Sequence, residues 1–248
     1  VARARATRGG ELQRRAVGKG QFVDHRGAQR QHHPDRGGEP SGVGEAEMLG
    51  GRGAARLAAA EIADVCRRAV AERGQAVIAL SGGETPWLML RELREYELPW
   101  NRIYVGQVDE RIAPAGDARR NRTKLDEILV RHGPLPAPRL LAMPVEGGDL
   151  TAAAVRYQRL LEHYAGTPAQ LDLVQLGLGA DGHTASLIPG DPVLGVRDRD
   201  VALTGEYQGL RRMTLTYPAL SRARARLWLV TGAAKHDALR DLLAATGD

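Results

Sequence analysis

Cysteine, phenylalanine and long apolar runs are scarce in this chain of 248 residues. The single cysteine, Cys66, excludes an intramolecular disulfide and favours a reducing compartment, so we expect a cytoplasmic protein. Aromatic side chains make up only 4% of the residues, and the core must therefore consist mainly of Leu, Val, Ile and Ala. No apolar run approaches the roughly 20 residues that span a bilayer, which predicts no membrane partner.

A dense stripe of basic charge is also lacking, although the formal net charge is +5. Residues 1–50 carry nine basic and six acidic side chains, whereas residues 51–248 carry 26 and 24. A protein that binds the phosphate backbone of a nucleic acid needs a concentrated basic surface. The nearly neutral main part of the chain therefore predicts no nucleic-acid partner, while a small anionic substrate needs only a local cluster of cations.

Residues 1–51 lack the regular patterning of the rest of the chain. The first 50 residues hold ten of the 30 glycines and show neither a helical nor a strand period. This composition predicts a segment that is disordered or a non-native extension. A single α/β domain is predicted for residues 52–248.

Within 52–248, predicted helices and strands alternate with short connections. The helices are predicted at 54–73, 86–96, 119–132, 150–164 and 233–245, and the strands at 75–80, 103–108, 139–143, 171–176, 201–206, 212–216 and 226–231. Such alternation is typical of a mostly parallel sheet with helices on both faces.

Four of the predicted strands are followed by loops rich in glycine or charge. They are Ser81-Gly-Gly-Glu-Thr-Pro86, Asp109-Glu-Arg-Ile-Ala-Pro114, Gly177-Leu-Gly-Ala-Asp-Gly-His-Thr-Ala-Ser186 and Gly232-Ala-Ala-Lys235. The carboxyl ends of parallel strands meet at one edge of the sheet, where ligands bind. We therefore expect the four loops to form one site.

The third loop places His183 on a turn built from glycines, which suits proton transfer because imidazole titrates near neutral pH. The spacing Gly177-x-Gly-x-x-Gly182 also matches the dinucleotide fingerprint. That fingerprint needs a helix immediately after it, and Pro189-Gly190 leaves little room for one. The turn therefore favours acid–base chemistry over a nicotinamide cofactor.

The other loops offer candidate ligands for an anion. Gly82 and Gly83 can present backbone N–H groups at a helix N-terminus, and Ser81 adds a hydroxyl donor, although a simple helix cap is the alternative. Arg111 can hold a phosphate with its two-pronged guanidinium, or form a surface ion pair. Lys235 opposes the dipole of the last helix, which an anion would offset. Arg212, just before an apolar strand, is similarly open to either interpretation.

Together the four motifs resemble the 6-phosphogluconolactonase family, over about residues 52–248. The resemblance implies a Rossmann-like α/β fold shared with sugar-phosphate isomerases and glucosamine-6-phosphate deaminase. It implies hydrolysis of 6-phospho-D-glucono-1,5-lactone to 6-phosphogluconate, without a metal or an organic cofactor, and we expect a monomer that acts on this small substrate.

The motif match implies that His183 is the general base and that Asp109 or Asp181 orients its imidazole. It further implies substrate and phosphate ligands, which are Ser81, Gly82, Gly83, Arg111, Arg212 and Lys235. Two positions depart from the usual pattern: Glu84 replaces a serine, and Arg120 stands where a serine commonly precedes the asparagine matched by Asn121. A further short strand and helix are expected after the last predicted helix.

Two other functions are compatible with the same fold. A glucosamine-6-phosphate deaminase tends to carry D-E-Y in place of the Asp109-Glu-Arg111 motif and G-H-I-A-F-N-E-P in the histidine turn, whereas Thr184-Ala-Ser-Leu187 favours the lactonase. A non-catalytic sugar-phosphate-binding domain would not need His183. Such sensors usually carry a helix-turn-helix ahead of the domain, and residues 1–50 lack the apolar periodicity for one.

Overall fold

The structure, a computed structural model, describes residues 2–6, 12–15 and 51–244 of the chain. Its helices are α1 (Gly51–Arg73), α2 (Glu84–Leu93), α3 (Asn121–Leu125), α4 (Leu150–Ala165), α5 (Tyr217–Arg222) and α6 (His236–Ala244). Its strands are β1 (Ala2–Ala6), β2 (Leu12–Arg15), β3 (Ala76–Leu80), β4 (Ile103–Gln107), β5 (Asp109–Arg111), β6 (Leu140–Leu141), β7 (Leu173–Leu176), β8 (Val201–Leu203), β9 (Arg212–Leu215) and β10 (Ala225–Trp228). A π-helical stretch, Asp126–Arg131, continues α3.

The main sheet has the strand order β2-β1-β10-β7-β3-β4-β6. The five strands from β10 to β6 run parallel to one another, and β1 pairs antiparallel with β10. The predicted α/β class, a mostly parallel sheet with helices on both faces, is therefore confirmed.

Strand β3 lies at the centre of this sheet and is buried on both faces. Ala76, Ile78 and Leu80 pack into one core with α1, α2, α3 and α6. Val77 and Ala79 point the other way, into a core with α4, α5 and the second sheet. Because successive side chains of a strand alternate between faces, an uninterrupted apolar run is what a strand covered on both faces requires.

Three strands form a second, antiparallel sheet of order β5-β9-β8. The sequence pattern does not distinguish these strands from those of the main sheet. It incorporates Asp109–Arg111, which the sequence pattern predicts to be part of a loop. Val108 connects the two sheets. Its N–H donates to Leu80 O of the main sheet at 3.1 Å, and its carbonyl accepts from Leu215 N of the second sheet at 2.8 Å. One end of β4 is thus hydrogen-bonded to both sheets, and the second sheet is held over the carboxyl edge of the first.

Two short strands, β1 and β2, lie within residues 1–51, for which the sequence predicts disorder or a non-native extension. The sequence of β1 alternates Ala and Arg, a two-residue period typical of a strand that the interpretation overlooked. Residues 1, 7–11, 16–50 and 245–248 lie outside the described part of the chain. The rest of that prediction and the expected extra strand and helix fall on these residues.

Candidate active site

The histidine turn begins directly after β7 and holds His183 against Asp181. Nδ1 of His183 lies 2.6 Å from Oδ1 of Asp181. The turn is closed by a hydrogen bond from Gly179 N to His183 O at 2.7 Å, and Gly182 adopts a φ of 86°, a left-handed conformation that glycine tolerates. The backbone of the turn therefore determines the pairing of imidazole and carboxylate.

The electrostatics of Asp181 suit a carboxylate that supports an imidazolium. Burial raises the pKa of Asp181, but hydrogen bonds from His183 and Tyr207 more than offset it, and the pKa lies below its usual value. Asp181 is therefore ionised at neutral pH. The His183 side chain beside it is 22% exposed.

Gly179 is required by the close approach of this pair. A Cβ on Gly179 would lie 2.6 Å from Cε1 of His183 and closer still to Nδ1 and to Oδ1 of Asp181. We predict that Gly179→Ala displaces the imidazole and lowers kcat for the proposed reaction by roughly 10²-fold, as misplacement by about 1 Å can do. Steady-state kinetics checks this, with Gly177→Ala as the matched control because a Cβ at Gly177 meets nothing within 4 Å. Equal activity of the two variants would contradict the steric argument.

Tyr207 also reaches this pair, and the sequence analysis missed it. Its hydroxyl donates to Oδ2 of Asp181 at 3.1 Å, and its ring lies edge-on to the His183 ring with centroids 5.6 Å apart. Tyr207 lies on the loop between β8 and β9. No local pattern marks it, because its contact with the turn depends on how the second sheet packs over the first.

Arg111 and Arg212 are neighbours on adjacent strands of the second sheet. They are directly opposite in the antiparallel pair of β5 and β9. Burial lowers the pKa of Arg212, and the charge of Arg111 lowers it further. Nε of Arg212 is buried and has no hydrogen-bond partner among the described residues. Like charges opposite each other destabilise a sheet, so this arrangement favours an anion bound between them.

The carboxylate of Asp109 contacts Ser186 and Asn121 and not the imidazole of His183. It accepts a hydrogen bond from Ser186 Oγ at 2.6 Å and from Asn121 Nδ2 at 3.2 Å. Asn121 in turn accepts a hydrogen bond from Nη1 of Arg111. Of the two predicted candidates, Asp181 therefore contacts His183, whereas Asp109 joins the histidine turn to the arginine loop. The physical reason is that β5 pairs with β9 and carries Asp109 toward Ser186.

Glu110 anchors the loop that carries Arg111. The carboxylate is fully buried and accepts hydrogen bonds at 2.8 Å from the backbone N–H groups of Arg111, Asn121 and Arg122 and from Gln107 Nε2. Arg120, 1% exposed, lies 3.6 Å from Glu110 and 2.5 Å from Glu146.

This network accounts for one departure from the family pattern. Arg120 replaces a small residue, and its charge is matched by the two glutamates it bridges. The hydrogen bond from Arg120 holds the pKa of Glu146 below its usual value, against the opposing effect of burial.

The first predicted loop supplies backbone donors, but its serine is already used. Both the N–H and the hydroxyl of Ser81 donate to Gln175 Oε1, at 3.1 and 2.9 Å. Ser81 is buried and anchors the turn, which differs from its predicted role as a phosphate donor. Gly83, at a φ of 128°, is the N-cap residue of α2. No side chain caps this N-terminus, so the first N–H groups of the helix are available to a ligand.

Gly82 and Glu84 complete this loop. A Cβ on Gly82 would lie 2.6 Å from Cγ of Asn121, which brings the first loop into contact with the arginine loop. Glu84 is exposed in the first turn of α2, where a negative charge suits the helix dipole. The second departure from the family pattern is therefore accommodated by the helix itself.

Lys235 comes from the fourth loop and ends the 3-10 turn Ala233–Lys235. Burial lowers its pKa, and the charge of Asp181 opposes that shift. The ammonium group therefore interacts electrostatically with the histidine turn. Thr85 of the first loop and Thr231, directly before the fourth loop, have hydroxyl oxygens 2.7 Å apart. All four predicted loops are thus interconnected at one edge of the main sheet.

Among the residues that the structure describes, no group of three or more His, Cys, Asp and Glu side chains is placed to hold a metal ion. Over the same ranges, no helix combines the length and the apolar character needed to cross a bilayer.

Known proteins resemble the chain in sequence and in structure. The family described as glucosamine-6-phosphate isomerases/6-phosphogluconolactonase matches residues 52–248. A 6-phosphogluconolactonase of Synechocystis is 38% identical over 73% of this chain and 77% of its own length. One from Pseudomonas aeruginosa is 34% identical over 83% and 87%. The crystal structure of 6-phosphogluconolactonase from Thermotoga maritima superposes with a TM-score of 0.69 and 27% identity, over 78% and 87%. The chain therefore belongs to the glucosamine-6-phosphate isomerase and 6-phosphogluconolactonase family.

Proposed function

We propose that this protein hydrolyses 6-phospho-D-glucono-1,5-lactone to 6-phosphogluconate, a step of the oxidative pentose phosphate pathway. The observation that carries the proposal is the ionised Asp181 held 2.6 Å from His183, together with the arginine pair of the second sheet. Relatives named 6-phosphogluconolactonase at 34% and 38% identity support the same reaction.

His183 acts as the general base in this proposal. Its Nδ1–H donates to Asp181, which leaves the Nε2 lone pair free to accept a proton from water. The oxygen of that water bonds to the lactone carbonyl carbon as its proton moves to Nε2. The carboxylate of Asp181 stabilises the imidazolium that results.

The lactone then opens from a tetrahedral oxyanion. The backbone N–H groups at the start of α2 are suitable donors to that oxyanion, because they are not capped by a side chain. When the carbonyl re-forms, the bond from carbon to the ring oxygen breaks, and the ring oxygen takes the proton from the imidazolium. The imidazole returns to its neutral form, and the product carries the new carboxylic acid.

The phosphate of the substrate binds between Arg111 and Arg212 in this proposal, with Lys235 completing the cluster. Two guanidinium groups placed opposite each other repel until a dianion neutralises them. A lactone without a phosphate, glucono-1,5-lactone, is therefore expected to have a much higher KM.

The first experiment follows hydrolysis of freshly generated 6-phosphogluconolactone by the purified protein, coupled to 6-phosphogluconate dehydrogenase. Acceleration above the spontaneous rate, weak with glucono-1,5-lactone, is the expected result. Release of ammonia from glucosamine 6-phosphate is measured in parallel. Folded protein that releases ammonia but leaves the lactone rate unchanged would establish the deaminase alternative instead, and activity on neither substrate would favour a binding domain. The monomeric state and cytoplasmic location stay predictions.

The alkaline side of the pH profile tests Lys235. Because burial lowers the pKa of this lysine, its ammonium group loses its proton at a lower pH than an ordinary lysine does. We predict that kcat/KM falls at alkaline pH as Lys235 becomes neutral, and that Lys235→Arg moves this fall to higher pH because a guanidinium stays charged. The control is Lys124→Arg, because the ammonium group of Lys124 pairs with Glu127 at 2.8 Å and lies outside the proposed site. An identical alkaline limb in both variants would exclude Lys235 from phosphate binding.

A further inference from the structure

Tyr207 is placed by a tight hairpin turn. Between β8 and β9, Tyr207 and Leu210 exchange backbone hydrogen bonds, from Tyr207 N to Leu210 O at 3.0 Å and from Leu210 N to Tyr207 O at 3.3 Å. The two residues between them, Gln208 and Gly209, have φ values of 53° and 75°. Two positive φ angles in a two-residue loop are typical of a type I′ hairpin, whose twist matches that of the flanking strands. The backbone therefore sets the direction in which the Cα–Cβ bond of Tyr207 leaves the hairpin.

Three groups of the site contact this one side chain. The hydroxyl donates to Oδ2 of Asp181 at 3.1 Å. The ring meets the His183 ring edge-on, at 5.6 Å between centroids and an interplanar angle of 67°. The guanidinium of Arg212 lies over the same ring, 4.9 Å from its centroid. Tyr207 is thus the one side chain of the described residues that joins the histidine–aspartate pair to the arginine pair.

The hydroxyl holds the oxygen of Asp181 that His183 does not contact. The Asp181 side chain is 40% exposed, and its Oδ1 meets Nδ1 of His183 at 2.6 Å and accepts from the backbone N–H of the same residue at 3.3 Å. Its two oxygens are used separately, Oδ1 by His183 and Oδ2 by Tyr207. A carboxylate held at both oxygens has one orientation, and that orientation sets the imidazole. Burial and the bond to Asp181 raise the pKa of Tyr207, which keeps the hydroxyl protonated as a donor.

We propose that Tyr207 is a positioning residue of this active site: its hydroxyl locks the Asp181 carboxylate that orients His183, and its ring holds the Arg212 guanidinium that binds the phosphate. The inference rests on the proposed lactonase function. The two halves of the side chain then have separate kinetic consequences, since the hydroxyl acts on proton transfer and the ring acts on binding.

The experiment compares Tyr207→Phe and Tyr207→Leu in the lactone assay. Tyr207→Phe keeps the ring, so we expect kcat to fall by about tenfold, equal to about 1.4 kcal/mol of transition-state free energy, with KM unchanged. Tyr207→Leu also removes the contact with Arg212, and KM is expected to rise as well. Tyr96→Phe is the matched control, because Tyr96 also has an arginine, Arg67, over its ring at 5.7 Å but belongs to neither pair.

A double-mutant cycle shows whether the hydroxyl acts through Asp181. On an Asp181→Ala background, Tyr207→Phe should cause no further loss of kcat, because the group that it positions is gone. The inference would be overturned if Tyr207→Phe lowered kcat equally with and without Asp181, or if Tyr207→Phe alone left kcat unchanged. As long as the unmutated protein hydrolyses the lactone, the proposed function would stand in either case. Absence of turnover in the wild-type protein would overturn both.

Discussion

Replacement of His183 by alanine is expected to lower kcat for lactone hydrolysis by about 10²- to 10⁴-fold, the usual contribution of a general base. KM should change little, because Arg111 and Arg212, the proposed phosphate ligands, lie on the second sheet and not on the histidine turn. The spontaneous hydrolysis of the lactone sets the lower limit of the measurement, so the variant rate must be corrected for it.

The fold should survive this substitution. His183 is partly exposed, and the turn is closed by backbone hydrogen bonds that alanine retains. Thermal unfolding of the variant is therefore expected to match the wild type. His163→Ala is the matched control, since His163 is exposed on α4 and packs edge-on against Tyr164. A His183→Ala variant with undiminished kcat would refute the proposed mechanism.

Replacement of Glu110 by alanine is expected to destabilise the protein by about 3–5 kcal/mol, the range for removing one partner of a buried ion pair. The change removes the acceptor of three backbone N–H groups and leaves Arg120 with Glu146 as its remaining carboxylate. Unsatisfied buried donors are costly because they lose their hydrogen bonds to water on folding. Urea unfolding at equilibrium measures the loss as a lower midpoint at an unchanged slope.

The control for Glu110 is Glu95→Ala, because Glu95 is exposed and its pair with Arg94 lies at the surface. Surface pairs contribute little to stability, so that variant should unfold like the wild type. If Glu110→Ala lost no more stability than Glu95→Ala, the buried network would not be what holds the arginine loop.

The elements of the main sheet were predictable because their patterns are local. The helix predicted at 54–73 spans Gly51–Arg73, and the strand predicted at 75–80 spans Ala76–Leu80. The helix is long and periodic, and the strand is a short apolar run bounded by Gly74 and by the Ser81-Gly-Gly83 turn, so each pattern is local. The helix predicted at 119–132 is less regular, since it begins at Asn121 and becomes π-helical at Asp126.

The second sheet was not predictable in the same way. Strand β5 has three residues, all charged, and its strand conformation is induced by pairing with β9. The pattern of polar residues after an apolar strand is equally typical of a loop. The motif match left Asp109 and Asp181 open as partners of the imidazole, and this pairing directs Asp109 to Ser186.

The sequence by itself determined the family, the alternation of helices and strands, and the four loops that meet at the edge of the sheet. These follow from local composition and from a general property of parallel sheets, that their strands all end on one side. The tertiary structure alone decided that Arg111 faces Arg212 and that Asp181, not Asp109, holds His183. It also placed Tyr207 on Asp181, 26 residues away in the chain. Such contacts depend on the packing of one sheet over another, and no short-range pattern in the amino-acid sequence encodes contacts between residues so far apart in the chain.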